Sequence, residues 1–192
     1  MLFRSHQPAV ERLGYSYERV GEDTENYVKA LGEQLGGGIP VLLAALGPRL
    51  LRVAGEYASG TILWMANAPA IDSHVAPRIT RAAEAAGRPA PRIVAGLPVA
   101  VHDDVDEARA AAAREFEIYG VLPNYQRILA HGGISSPAEA AVVGTEEQVT
   151  RQVNELFAAG MTDFWAAPFP VGDDRAASRS RTRSLLARLA TS

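Results

Sequence analysis

Residue types that react on their own are scarce in this chain of 192 residues. It contains no cysteine, which excludes a disulfide framework, a thiolate zinc site and a thiol nucleophile. Lys29 is the single lysine, so there is little scope for Schiff-base chemistry. Four histidines remain, at positions 6, 74, 102 and 131. His74 and His102 have no acidic or histidine partner at ligand spacing on a shared helix face, so the expected reading is solvated or hydrogen-bonded imidazoles and no metal site. No serine elbow, phosphate-loop motif or Gly-x-Gly-x-x-Gly fingerprint occurs. One short stretch has the types and spacing to hold an anion. In Ala44-Ala45-Leu46-Gly47-Pro48, small residues permit close backbone approach, and a proline-started helix offers its first N–H groups. A plain strand-to-helix turn accounts for the same residues without any ligand.

Strands and helices alternate around that turn. Residues 40–45 form a short apolar run with turn formers before it, as in a strand of a parallel sheet. Gly47-Pro48 opens a helix with Leu50, Leu51, Val53 and Ala54 on its apolar face, and residues 61–65 form a second strand. Before this unit, residues 23–35 place Tyr27, Val28, Leu31 and Leu35 at helical spacing. After it, residues 66–70 read as a loop, and Asp72 or Ser73 as the cap of a helix running to about residue 86. Residues 93–101 form a third apolar run, in which Gly96 and Pro98 predict a bulge or a bend. A long alanine-rich helix begins at Asp103 or Asp104 and carries Ala108, Ala112, Phe116 and Tyr119. A further helical piece spans 125–131, residues 132–137 form a loop, and 138–143 form a short helical turn. Thr145 caps the next helix, residues 162–167 form the last strand, and residues 173–190 form a terminal helix with its arginines mainly outward.

This order predicts an α/β fold of parallel βα units in one domain over residues 1–192. It offers four good strands and a remnant of a fifth at residues 1–4. That is half of a (β/α)8 barrel, which takes roughly 250 residues. A net charge of −3 gives no electrostatic footprint for nucleic acid. No apolar run approaches the length that crosses a bilayer, and residues 1–20 lack the pattern of a secretory signal, so the expected location is cytoplasmic.

With the strands placed, the sequence resembles the luciferase-like monooxygenase superfamily, and within it the deazaflavin-dependent (coenzyme F420) oxidoreductases. The resemblance is carried, in family order, by PVLLAALGPRLLRVAGE (40–56), GTILWM (60–65), VAPRI (75–79), AGLPVAV (95–101), VGTEEQV (143–149) and GMTDF (160–164). It implies a partial TIM barrel, the C-terminal portion of the family fold, with the first strands missing and the chain truncated. It also implies an oxidoreductase that transfers hydride between a reduced deazaflavin and an organic substrate, with FMN and a monooxygenase reaction as the alternative. A cofactor that performs the chemistry while the protein orients it suits the scarcity of reactive side chains. The resemblance assigns the cofactor's phosphate-bearing tail to Ala44, Ala45, Leu46, Gly47 and Pro48, and its ring surroundings to Ser5 and His6, with His6 the candidate catalytic residue. A surface histidine is the plainer reading of His6. Trp64, Asn67 and Phe169 fall at expected strand ends, on the face where barrel sites lie, and are the substrate-pocket candidates. The plainer reading of Trp64 is a core residue. A half barrel leaves open sheet edges, so a homo-oligomer is expected, and a catalytically idle, self-associating half barrel is the competing reading.

Overall fold

Acidic residues at one end and a left-handed glycine at the other bound the first long helix. α1 spans Val20–Leu35, with Glu22 and Asp23 in its first turn, and Gly36 closes it at φ 58°. It begins three residues before the expected start, where the Arg19 guanidinium pairs with Glu22 at 2.8 Å. The computed structural model describes residues 11, 12, 14 and 19–191, and these form two compact units. The first unit comprises residues up to 61 together with 78–92. The second comprises 62–77 and 93–192. The expected strand remnant at residues 1–4 lies outside the described residues, as do Ser5 and His6.

In the first unit, β1 (Leu42–Ala44) leads through Gly47 into α2 (Pro48–Tyr57), with Pro48 in the first helical turn as expected. Val28 of α1, Val53 of α2 and Ala58 form a buried cluster, against which Leu43 and Tyr57 pack. β2 (Gly60–Trp64) begins here. The Ser59 N–H donates to the Val41 carbonyl at 2.7 Å, and the buried Thr61 hydroxyl donates to the Leu43 carbonyl at 2.9 Å. These bonds satisfy groups that would otherwise be costly to bury.

The second unit is organised around β3 (Arg92–Val101), a continuous strand buried along nearly its whole length. β5 (Asp163–Pro168) runs parallel to it, from Val94 opposite Asp163 to Val99 opposite Pro168. β4 (Val142–Gly144) is also parallel to it, from Val99 opposite Val142 to Val101 opposite Gly144. One residue cannot pair twice on the same edge, so β4 and β5 lie on opposite edges of β3. β2 ends on the β4 edge, where the Met65 N–H donates to the Gly96 carbonyl at 3.2 Å. Met65 then takes φ 65°, the one described non-glycine residue with a positive φ, and the chain leaves the sheet. β4 occupies the same edge further along, and the His102 N–H donates to Gly144 there at 2.9 Å.

This geometry corrects the expected bulge in β3. Backbone groups of alternate residues point to opposite edges, so Pro98 shares the edge of Gly96 and His102. Its missing N–H falls in the gap between the departure of β2 and the arrival of β4, where no ladder bond is lost. A proline is thereby tolerated inside a continuous central strand.

Helices cover the sheet. α3 (Ala68–Ala70) continues through a π-helical segment, Ile71–Val75, into α4 (Ala76–Ala85). The cap is Asn67, whose side chain accepts the Ala70 N–H at 3.1 Å, rather than the expected Asp72 or Ser73. Between β3 and β4 lie α5 (Val105–Glu115), capped by Asp104, then α6 (Ile118–Val121), α7 (Pro123–His131) and α8 (Pro137–Ala140). The expected long alanine helix stops at Glu115, so Phe116 and Tyr119 are not part of it, and Val142 and Val143 form strand instead of helical turn. α9 (Glu146–Ala158) starts with the expected Thr145 cap, completed as a capping box by Gln148. α10 (Arg175–Leu189) packs by Thr182 and Leu185. The Thr182 hydroxyl accepts the Val101 N–H at 2.9 Å and ties α10 to the end of β3. Ala100, Ala108, Ala112, Val143 and Phe169 belong to one buried cluster of this unit.

Not all arginines of α10 are simply solvated. Arg181 donates to both carboxylate oxygens of Glu146 at 2.8 Å and to Asp103 at 2.7 Å. The Arg181 hydrogen bond holds the Glu146 carboxyl down at about 2 and also lowers that of Asp103. A depressed carboxyl contributes stability above its unfolded value, near 4.5, and that contribution is lost as pH falls toward 2. Glu146 and Arg181 are each more than a third exposed, so the pair contributes only about 0.5–1 kcal/mol after solvent screening. Urea unfolding of Arg181→Leu is expected to lack this acid-dependent component, whereas the wild type loses it between pH 4.5 and 2.

Candidate functional site

The first unit contains the anion-ready turn. Gly47 has φ −90° and ψ 158°, and nothing lies within 4 Å of where a Cβ would sit. Ala44, Gly47 and Pro48 are exposed, Leu46 is half-buried and Ala45 is buried. The first turn of the ten-residue α2 carries no carboxylate, and Arg49 follows the proline. Backbone N–H groups and the positive end of the helix dipole at one exposed turn suit a phosphate or carboxylate, while the Arg49 side chain lies against Gly21 of α1. The five turn residues singled out in the sequence run from the end of β1 to the first residue of α2.

In the second unit, Trp64, Asn67 and Phe169 occupy three different environments. Trp64 ends β2 and is the hub of an aromatic cluster. Its ring centroid lies 5.4 Å from Trp165, 5.7 Å from Tyr119 and 6.1 Å from Phe116. Phe116 meets Phe169 edge-on at 5.5 Å, and Tyr119 meets Tyr125 at 4.9 Å. Such tilted and edge-on pairs add about 0.5–1.5 kcal/mol each beyond their buried area. Phe169 is 1% exposed and belongs to the core, so it supports the cluster from beneath. Trp165 is 50% exposed and presents the open aromatic surface. Burial of the Tyr125 phenol pushes its pKa up to about 12, which keeps it neutral.

Gly96 explains why the two indoles can meet. It lies opposite Trp165 in the β3–β5 ladder, and its carbonyl accepts the Met65 N–H from β2. A Cβ there would fall 2.5 Å from Trp165 Cε3 and 2.9 Å from Trp64 Cε3. The absent side chain leaves the space into which both rings lean. The Trp64 Nε1–H is buried without an acceptor among the described residues, a donor that costs about 1–3 kcal/mol to leave unsatisfied.

Asn67 has a different task. Its side-chain oxygen caps α3, and its Nδ2 donates to the Gly132 carbonyl at 3.0 Å. Both ends of the amide are committed to joining the end of β2 to the end of α7. Of the histidines, His102 is hydrogen-bonded as the sequence reading has it, while His74 is buried in a ring stack. His74 is 2% exposed, and its ring stacks on His131 with centroids 3.7 Å apart and planes at 16°. His102 is bonded through Nε2 to Glu107 at 2.8 Å. Among the described residues there is no group of three or more His, Asp or Glu able to hold a metal, and no helix is long and apolar enough to cross a membrane. Sequence reasoning missed Phe116, Tyr119, Tyr125, Trp165 and His131 because their proximity depends on strand register and on the fold of the β3–β4 excursion. Gly96 between two aromatic-bearing strands was the one available signal.

A sequence profile described as luciferase-like monooxygenase matches residues 12–163. No curated protein matches the chain. Among solved structures, the coenzyme F420-dependent tetrahydromethanopterin reductase from Methanopyrus kandleri superposes with TM-score 0.59 at 22% identity, over 77% of this chain and 50% of that one. An F420-dependent secondary alcohol dehydrogenase, in complex with an F420-acetone adduct, gives 0.52 at 17% identity, over 68% and 43%. The FMN-bound oxygenating constituent of 3,6-diketocamphane monooxygenase, from the CAM plasmid of Pseudomonas putida, gives 0.52 at 19%, over 71% and 43%. At these identities the likeness is one of fold: α/β with parallel strands, as in luciferase-like TIM barrels. This chain spans about half the length of the structures it matches.

Replacing Gly96 with alanine is expected to destabilise the protein by about 1–3 kcal/mol through overpacking. It should also change the near-ultraviolet circular dichroism, since both tryptophans of the chain contact that position. Unchanged stability and spectrum would remove Gly96 from its place between the rings.

Proposed function

From the premise that the chain belongs to the luciferase-like monooxygenase family, we propose that it is an oxidoreductase of the deazaflavin-dependent type, acting on an unidentified organic substrate. The observation that carries this reading is the exposed Ala44–Pro48 turn, where a helix N-terminus free of carboxylates is followed by Arg49. The residues present fit an anionic cofactor tail, because the position above Gly47 is open and the turn lies at the N-terminus of α2. When bound, a deazaflavin supplies two-electron hydride transfer. FMN is the alternative and supplies oxygen chemistry as well. The F420 and FMN complexes named among the structural neighbours support both choices.

The tasks left to this chain are binding and positioning. Ala44, Ala45, Leu46, Gly47 and Pro48 hold the anionic tail. Trp64 and the half-exposed Trp165 offer an apolar wall for substrate. The placement of His6 as proton donor and of Ser5 beside the cofactor ring belongs to the same proposal, as does a cytoplasmic location.

Self-association is also part of the proposal. Among the described residues, β5 pairs with β3 alone, and its Trp165 is half exposed, which leaves an open apolar sheet edge. Light scattering is expected to show a dimer or larger species, and a stable monomer would contradict this element of the proposal.

Calorimetric titration with F420 and with FMN tests the enzymatic reading. Gly47→Asp supplies a good helix cap, so stability is expected to hold or to rise by a few tenths of a kcal/mol. The added carboxylate should weaken cofactor binding by about tenfold, or ~1.4 kcal/mol. If the wild type binds neither cofactor, the enzymatic reading fails for this chain.

A further inference from the structure

Among the described residues, β5 is an edge strand, paired with β3 and with no other strand. Its sequence, Asp163-Phe164-Trp165-Ala166-Ala167-Pro168, has a charge at its start and a proline at its end, and nothing between them that deters strand addition. Successive backbone groups point to alternate sides of a strand. The Thr162 N–H donates to the Ile93 carbonyl of β3 at 2.9 Å, so residues 164 and 166 also face β3, and Trp165 and Ala167 aim their N–H and C=O groups away from it. Pro168, next in the even series, has no N–H, and the Phe169 N–H takes its place on the Val99 carbonyl at 3.1 Å. The Trp165 ring has Trp64 on one side, 5.4 Å away, and is 50% exposed.

We propose that this edge pairs with the same edge of a second copy, antiparallel, about a two-fold axis at Trp165. The axis sets Trp165 opposite Trp165 of the partner subunit and Asp163 opposite the partner's Ala167, so no like charges face each other. Centring the pair on Asp163 instead would oppose two carboxylates. Sliding the strands by two residues either way leaves position 163 or 167 facing a residue outside β5, so the pairing at Trp165 is the one that gives all three positions a mate within the strand. Trp165 then exchanges both backbone bonds with its mate, and the Ala167 N–H donates to the carbonyl of Asp163 of the partner subunit. Opposed side chains share a face, so the open side of each half-exposed indole is covered by the other, and the row Trp64, Gly96, Trp165 continues across the axis. A second copy suits the edge better than a foreign strand, because the edge is its own complement in length, charge and side-chain size, and a two-fold contact needs no other component. The pairing rests on the self-association proposed above and names its contact. It also makes the apolar wall proposed for substrate one surface built from two subunits.

The test exploits the absence of cysteine from the chain. Opposed residues in such a pair have Cα atoms about 5.5 Å apart, within disulfide reach. The double variant Asp163→Cys/Ala167→Cys keeps Trp165 and is expected to form covalent dimers on mild oxidation, read on a non-reducing gel. Positions 163 and 167 of one chain lie about 13 Å apart along the strand, so the link can form only between copies. Each single variant should stay unlinked, because equivalent residues lie about 14 Å apart across the axis. Ala167→Pro removes an N–H that β3 does not use, so light scattering should fall from twice the chain mass to once, with far-ultraviolet circular dichroism unchanged. With a dimeric wild type, the absence of a link in the double variant, a link in either single variant, or a folded Ala167→Pro dimer overturns this pairing while self-association stands. A monomeric wild type overturns both and leaves the edge to a strand of another chain.

Discussion

The second unit depends on a side chain that is absent. Gly96 sits in the middle of β3, with Trp64 on the strand at one edge and Trp165 on the strand at the other, and both indoles fill the space above it. A methyl group there would drive either the rings or the strands apart. Because Trp64 is held at that point, Phe116 and Tyr119 can seat edge-on against it, and the excursion between β3 and β4 gains a fixed anchor. The left-handed turn at Met65, which takes β2 off the sheet, places Asn67 where it can cap α3 and bind Gly132. Sheet, aromatic cover and helical joint thus share one origin.

Local physics was readable from the chain, while pairings across long stretches of it were not. Gly47-Pro48, Asp104 and Thr145 mark helix starts through their own backbone preferences, and each acts where its residue type says it should. Pro98 misled for a reason that depends on topology. Its cost in a strand depends on which neighbour its missing N–H faces, and here it faces the gap between two successive partners. β4 escaped notice because three residues carry too little pattern to separate a strand from a helical turn. The helix start at Asn67 was misplaced because the π-helical segment breaks the spacing that would have marked it. Trp165 and His131 draw their significance wholly from partners 101 and 57 residues away in sequence, as the numbering of Trp64 and His74 shows.

Membership of the luciferase-like monooxygenase family accounts for how little reactive chemistry the side chains hold. Under the function proposed above, the Ala44–Pro48 loop would receive an anionic group, and the space at Gly47 is open. The second unit contributes an aromatic surface in which the Trp64 N–H is buried without an acceptor among the described residues.

The claim at the centre of this account is that the turn before α2 receives the anionic part of a redox cofactor. Hydrogen–deuterium exchange, with and without saturating coenzyme F420 or FMN, tests it most directly. Protection concentrated at the amides of Gly47, Arg49 and Leu50 on addition of one of these cofactors is the predicted result. Exchange at that turn that stays the same with either cofactor would contradict it.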